Sequence, residues 1–201
     1  MKTIVLTLAS VFAIIATPLY AQDKLNPGDD LPIMKTVLQN ANGSNTTITD
    51  AFGQNGLVVM FSCNTCPFVI RNQPITKKVM EYAAAYNVGM VIINSNEGKR
   101  NGDDSYEEMK KYAKDQGYTV PYLVDENSVL ADMFGASHTP EIFLFNKQHK
   151  LVYKGAMNDN PSNPDSYKKM YIEDAINAMI AGKEADPKTT KSIGCGIKHK
   201  S

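Results

Sequence analysis

Two cysteines three positions apart, Cys63 and Cys66, are the residues of this chain best suited to do chemistry, and Cys195 is the third and last cysteine. A thiol is a nucleophile only as thiolate, and with a pKa near about 8.5 a free cysteine is mostly protonated at neutral pH. The first turn of a helix favours the anion through its unpaired amides and positive dipole end. A second thiol one turn away allows a disulfide to form and reopen. The spacing admits a redox dithiol, half of a metal site, a peroxide-reducing cysteine with a neighbour, or a small structural staple.

The elements around the pair are legible. Residues 57–61 form a continuous apolar run, the pattern of a strand covered on both faces, and residues 88–94 repeat it. Between them, Ile75, Val79, Tyr82, Ala83 and Tyr86 recur at helical spacing. Strand, helix, strand is a right-handed crossover, which puts Cys63 at a strand-to-helix junction. Asn64 and Thr65 fill the turn, and Pro67 stands in the first helical turn, where no donor is missed. Pro74, deeper in the helix, predicts a kink. On this geometry Cys63 is expected to be the exposed attacking thiol and Cys66 the more buried, resolving one.

Elsewhere the sequence predicts a hairpin from strands at 33–38 and 46–48, a helix over 105–116 opened by Asp103 and Asp104, a strand at 121–124 and a short helix at 128–134. Strands at 142–145 and 151–154 and a helix over 167–180 follow. Asn42 and Asn45 begin formal glycosylation sequons and are read as turn residues. The expected class is α/β, a central mixed β-sheet flanked by helices on both faces with an N-terminal β-hairpin extension. The domain is expected over 22–182, and 183–201 reads as a polar, Lys-rich C-terminal tail containing Cys195.

With 201 residues, 43% apolar and 21% charged, the chain suits one domain with a full core. Charge is balanced and no basic run is dense enough for a nucleic-acid surface. Residues 1–21 read as a signal peptide, with Lys2 ahead of an apolar stretch over 4–16 and a break ending at Ala21. That stretch is shorter than the roughly twenty residues that span a bilayer. The expectation is therefore export, to the periplasm first or as a secreted protein, with no stable membrane insertion after cleavage. Outside the cytosol disulfides persist unless reduced, and an odd cysteine count leaves at least one thiol free or exchanging.

A staple across three residues closes too short a loop to stabilise much. A metal site needs further ligands, and no second C-x-x-C or paired histidines accompany this one. The dithiol reading is preferred, and it requires no cofactor.

The pentapeptide Cys63, Asn64, Thr65, Cys66, Pro67 after an apolar strand, with Ser137, His138, Thr139, Pro140, Glu141 and Ile142 some seventy residues later, resembles the thioredoxin superfamily. It is closest to the exported redoxin branch grouped with alkyl hydroperoxide reductase, thiol-specific antioxidant and TlpA-like proteins. The resemblance covers roughly residues 26–181. It implies a thioredoxin-like fold, thiol-disulfide oxidoreductase activity in cell redox homeostasis, and a cis bond between Thr139 and Pro140 lying against the dithiol, with the Thr139 backbone presented to substrate. Protein thiols and disulfides and a membrane or exported thiol reductant are the implied partners. Departures are Ser62 where thioredoxins carry Trp, Asn64-Thr65 between the cysteines, and Leu57 where a buried acid is usual. Glu141, Asp125 or water are then the candidates to take the proton of Cys66. A peroxidase would resemble P-x-x-x-T-x-x-C, whose Pro and Thr positions are Gly56 and Met60 here; a thiol-dependent peroxidase stays an alternative.

His138 is a candidate to stabilise the Cys63 thiolate or, with both cysteines, to complete a copper or other soft-metal site, against the plainer reading of a loop histidine. Arg71 reads as a surface residue. Cys195, in a Gly-Cys-Gly-Ile-Lys segment, is a candidate accessory thiol that folds back to the dithiol, bonds a partner or is simply buried.

Overall fold

The computed structural model describes residues 24–32 and 35–200. The expected signal peptide and residues 33–34 of the expected first strand lie outside the described residues.

A two-stranded hairpin, β1 (Val37–Gln39) and β2 (Asn45–Thr47), precedes the main sheet, with its strands antiparallel. Next come β3 (Gly56–Ser62), α1 (Pro67–Arg71), α2 (Gln73–Ala85), β4 (Val88–Asn94), α3 (Tyr106–Gln116), β5 (Tyr122–Val124) and α4 (Val129–Phe134). The chain continues through β6 (His138–Thr139), β7 (Glu141–Asn146), β8 (Leu151–Gly155), α5 (Tyr171–Ile180) and β9 (Cys195–Gly196). Five strands form one mixed sheet in the order β5-β4-β3-β7-β8. Strand β4 is parallel to both β3 and β5, and β7 is antiparallel to both β3 and β8.

Strand β3 is central and buried throughout, as its unbroken apolar sequence requires. Because successive side chains face opposite ways, Val58 and Met60 enter the core beneath α2 and α5, with Ile75, Val79, Ile172 and Ile176. Leu57, Val59 and Phe61 enter the opposite core, with Leu130 and Phe134 of α4 and with Leu25 and Leu31 of the lead-in. Each such side chain contributes about 1.5–3 kcal/mol by leaving water. Phe61, Phe134 and Phe143 meet edge-on, at centroid separations of 5.2 to 5.7 Å.

The predicted kinked helix is two helices. Asn72, at φ −91° and ψ 8°, separates α1 from α2, and Pro74 falls in the first turn of α2, where an N–H would have no partner within the helix. The buried Asn72 side chain donates to Phe68 O and Pro161 O, both at 2.8 Å, which fastens the break to a distant loop. Helix α5 begins at Tyr171 rather than 167, because the Lys168 amide donates to Asp159 Oδ1 at 2.9 Å and the Asp159 amide to Lys169 O at 3.1 Å.

The polar segment after residue 182 is not the loose tail its composition suggests. The Thr190 amide donates to Lys154 O at 3.0 Å, extending the β8 edge. The Thr190 hydroxyl meets Tyr153 Oη at 2.7 Å and accepts from the Ala156 amide at 2.9 Å. Farther on, β9 pairs antiparallel with β6, and Ala185 and Ile197 are buried. The folded unit therefore runs well past the expected boundary, because short polar residues can complete backbone ladders as well as apolar ones.

Candidate functional site

Cys63 follows the last residue of β3, and Cys66 is the N-cap of α1. Both are thiols. With Val69 they form a small cluster of their own, against which Phe68 and Cys195 pack.

The facing wall is the short strand β6, and the peptide bond from Thr139 to Pro140 is cis. The Thr139 hydroxyl lies 3.4 Å from Cys63 Sγ, while Cys66 Sγ lies 3.3 Å from the Thr139 carbonyl, to which it donates only when protonated. One residue thus touches both sulfurs. His138, its neighbour in the strand, faces the other way. Its Nδ1 lies 2.9 Å from Ser137 Oγ, so the structure does not bring His138 to the thiols. Among the described residues, no group of three or more His, Cys, Asp or Glu side chains is placed to hold a metal ion.

The expected exposure of Cys63 is not what the structure presents. Cys63 is 1% exposed and Cys66 4%, because the turn is covered by β6 and by the C-terminal segment. The two sulfurs share protons unequally. Cys66 is held down to about 4, first by the S–H of Cys63 and further by the Cys195 thiol and the Val69 and Cys195 amides. Cys63 is pushed up, by its hydrogen bond to the Cys66 sulfur, by burial and by the nearby Asp104 carboxylate. The direction within the pair is toward the thiolate on Cys66, at the helix start.

The Glu141 carboxylate accepts from the Ser137 and His138 amides at 2.8 and 3.1 Å, holding the bend before the cis bond. Asp125 accepts from Ser95 Oγ at 2.6 Å and from the Leu130 and Ala131 amides at 2.9 and 3.0 Å, which caps α4. Burial raises its pKa. Both acids are engaged away from Cys66, so neither takes the role suggested for it. Arg71 donates to Ser162 O at 2.9 Å, away from the thiols.

The acid that does reach the turn between the two cysteines is Asp104, which is fully buried. Its Oδ1 accepts from the Asn64 amide at 2.8 Å and from Asn94 Nδ2 at 2.7 Å, and its Oδ2 from Asn96 Nδ2 at 2.9 Å. Asn64 is also bonded through its side chain, donating to Asp103 O and accepting from Tyr122 Oη, both at 2.8 Å. The predicted helix-opening role of Asp104 belongs instead to Ser105, the N-cap of α3. A signal was present: Asn94, Ser95 and Asn96 end a wholly apolar strand, and buried amides need partners.

The C-terminal segment closes the site. Thr139 pairs with Cys195 and His138 with Gly196. The Ile197 amide donates to Ser137 O at 3.1 Å and the Lys198 amide to Asn96 Oδ1 at 2.9 Å. Asn96 thereby ties the segment to the carboxylate that holds the turn between Cys63 and Cys66. Gly194 is required here, because a Cβ on it would lie 2.1 Å from Thr139 O. Burial, and then the Cys66 sulfur, push Cys195 up to about 11.

Two surface concavities, of about 670 and 700 Å³, lie over residues of β7, β8 and α5 and over the β1–β2 turn and α3, and neither is lined by a cysteine. No helix among the described residues is long and apolar enough to cross a membrane.

Residues 26–171 match the family model described as Redoxin. No curated protein matches the chain. The crystal structure of an uncharacterized conserved protein from Geobacillus kaustophilus is similar at a TM-score of 0.79 and 33% identity, over 89% of this chain and 94% of that one. PrxQ from Xylella fastidiosa, as a cysteine-to-serine mutant, is similar at 0.54 and 20% identity, over 66% and 86%. The thioredoxin domain of a thiol-disulfide oxidoreductase from Bacteroides vulgatus is similar at 0.55 and 16% identity, over 71% and 96%.

Proposed function

Because the chain belongs to the Redoxin family, we propose that it is an exported thiol-disulfide oxidoreductase, exchanging the dithiol and disulfide forms of Cys63 and Cys66 with protein thiols outside the cytoplasm. The fold is thioredoxin-like, and the family and its structural neighbours are those of thiol redox proteins. One observation carries the finer reading: two buried thiols, one of them favoured as thiolate, meet a single residue, Thr139, beside a cis proline. In the exchange, the two thiols of the pair give two electrons to a partner disulfide, which leaves as two thiols while a bond closes between Cys63 and Cys66. The reverse reaction uses the same atoms.

The Redoxin family and the thiol-disulfide oxidoreductase among the structural neighbours support protein thiols and disulfides as the partners. Export rests on the residues expected to form a signal peptide, and the reductant that resets the pair is then a membrane-held or exported thiol protein. The peroxidase alternative lacks its hydroxyl: Met60 stands at the position of the peroxide-orienting threonine and is buried in the core.

The test is to follow reduction of a protein disulfide and consumption of hydrogen peroxide by wild type, Cys63→Ser and Cys66→Ser. Loss of exchange in both variants, with only slow peroxide turnover in wild type, is the expected result. Full exchange by Cys63→Ser would overturn the proposal. Fractionation of cells producing the full chain should place it outside the cytoplasm, and recovery in the cytoplasm would overturn that part.

A further inference from the structure

The edge of Thr139 that the family resemblance reserves for a substrate backbone is already occupied by this chain's own C-terminal segment. Strand β9 lies antiparallel on β6 in a register that sets Cys195 opposite Thr139. Cys195 packs against the cluster of Cys63 and Cys66, and it is half-buried where those two are almost wholly covered. A cysteine presented on an extended strand against the cis-proline wall stands where a bound partner would present its own.

We propose that Cys195 is a third redox thiol, the port through which the buried pair exchanges with protein dithiols, by way of a Cys66–Cys195 disulfide. This rests on the thiol-disulfide reading above and adds the route to it.

From the oxidised form, Cys195 attacks Cys66 Sγ, the bond between Cys63 and Cys66 breaks, and the Cys195 proton passes to Cys63, whose environment favours the thiol. A thiolate of a partner dithiol then attacks Cys195 Sγ. Cys66 departs as the thiolate, a good leaving group because its pKa is low. The partner's second thiolate attacks its own sulfur in the mixed disulfide and releases Cys195. The partner has lost two electrons and two protons and closed a disulfide, and the two electrons reside on Cys63 and Cys66. Within the chain, each sulfur in this sequence neighbours the next, Cys63 beside Cys66 and Cys66 beside Cys195.

The experiment has two arms on the full chain. In the first, Cys63→Ser is oxidised with one equivalent of oxidised glutathione and its disulfides are mapped by peptide mass. A Cys66–Cys195 disulfide is expected, and glutathione adducts or free thiols alone would overturn the proposal. In the second, oxidised wild type and Cys195→Ser react with reduced, unfolded ribonuclease. The variant should be about tenfold slower or more, because attack on a covered disulfide needs local opening. A wild-type rate in Cys195→Ser would overturn the port and leave the dithiol's own activity standing, whereas wild-type rates in Cys63→Ser and Cys66→Ser would overturn the underlying reading instead.

Discussion

The backbone amide of Asn64 donates to the carboxylate of Asp104 at 2.8 Å, so the turn between Cys63 and Cys66 is held from a residue forty positions along the chain. The same carboxylate accepts from Asn94 and Asn96, and Asn96 in turn accepts from the amide of Lys198. The dithiol turn, the end of β4 and the C-terminal segment are one hydrogen-bonded assembly.

Asp104→Ala should therefore cost more than a buried side chain of its size. It leaves the Asn64 amide and two carboxamides without an acceptor, each worth about 1–3 kcal/mol, and the sum should exceed about 3 kcal/mol. Denaturant unfolding of the reduced protein measures it. Asp104→Asn, which keeps one accepting oxygen, should lose less, and equal stability of Asp104→Ala and wild type would remove the carboxylate from this role.

The charge on the pair has a pH signature. An acidic group whose pKa is lowered on folding is an anion above that value and loses its charge as the pH falls through it, so one thiolate per protein should persist through neutral pH and disappear near about 4. Ultraviolet thiolate absorbance of the reduced protein reports it. Cys63→Ala removes the largest cause of the lowering and should move the transition upward. Absorbance that first appears in the ordinary thiol range would show that the pair is not coupled in this way.

Thr139→Val keeps the shape of the wall and removes the hydroxyl beside Cys63 Sγ. One neutral hydrogen bond is worth about 0.5–1.5 kcal/mol, so protein-disulfide exchange should change by roughly two- to tenfold with little loss of stability. Stopped-flow exchange kinetics decide it. An unchanged rate would mean that the contact is incidental.

Gly194→Ala tests the closing strand. Its Cβ would lie 2.1 Å from Thr139 O, which only displacement of β9 relieves. Alkylation of Cys66 by a small reagent should quicken as the cover lifts, while exchange with a protein dithiol should slow as Cys195 leaves its place. Faster exchange would make the strand a cover and nothing more.

Much of this was written in the linear pattern. The apolar runs at 57–61 and 88–94 announce two central strands because a strand buried on both faces admits no polar residue inside it. The Cys63–Cys66 spacing and the helix after it announce the dithiol, and the predicted hairpin, helices and strands hold apart from their ends. The break at Asn72 rather than a kink at Pro74, and the later start of α5, were hidden because long-range hydrogen bonds from Asn72 and Asp159 decide them.

The sequence by itself determined which residues form the thiol pair, since two cysteines one helical turn apart are a local property of five residues. Only the tertiary structure decided how they are reached and held. Asp104 binds the turn from beyond the far end of β4, Glu141 and Asp125 are engaged elsewhere, and a segment that reads as a polar tail lies on Thr139 with its cysteine against the dithiol. The physical reason is range. Periodicity reports burial along one element, whereas a backbone ladder or a buried carboxylate pairs residues whose separation in the chain leaves no trace in local composition.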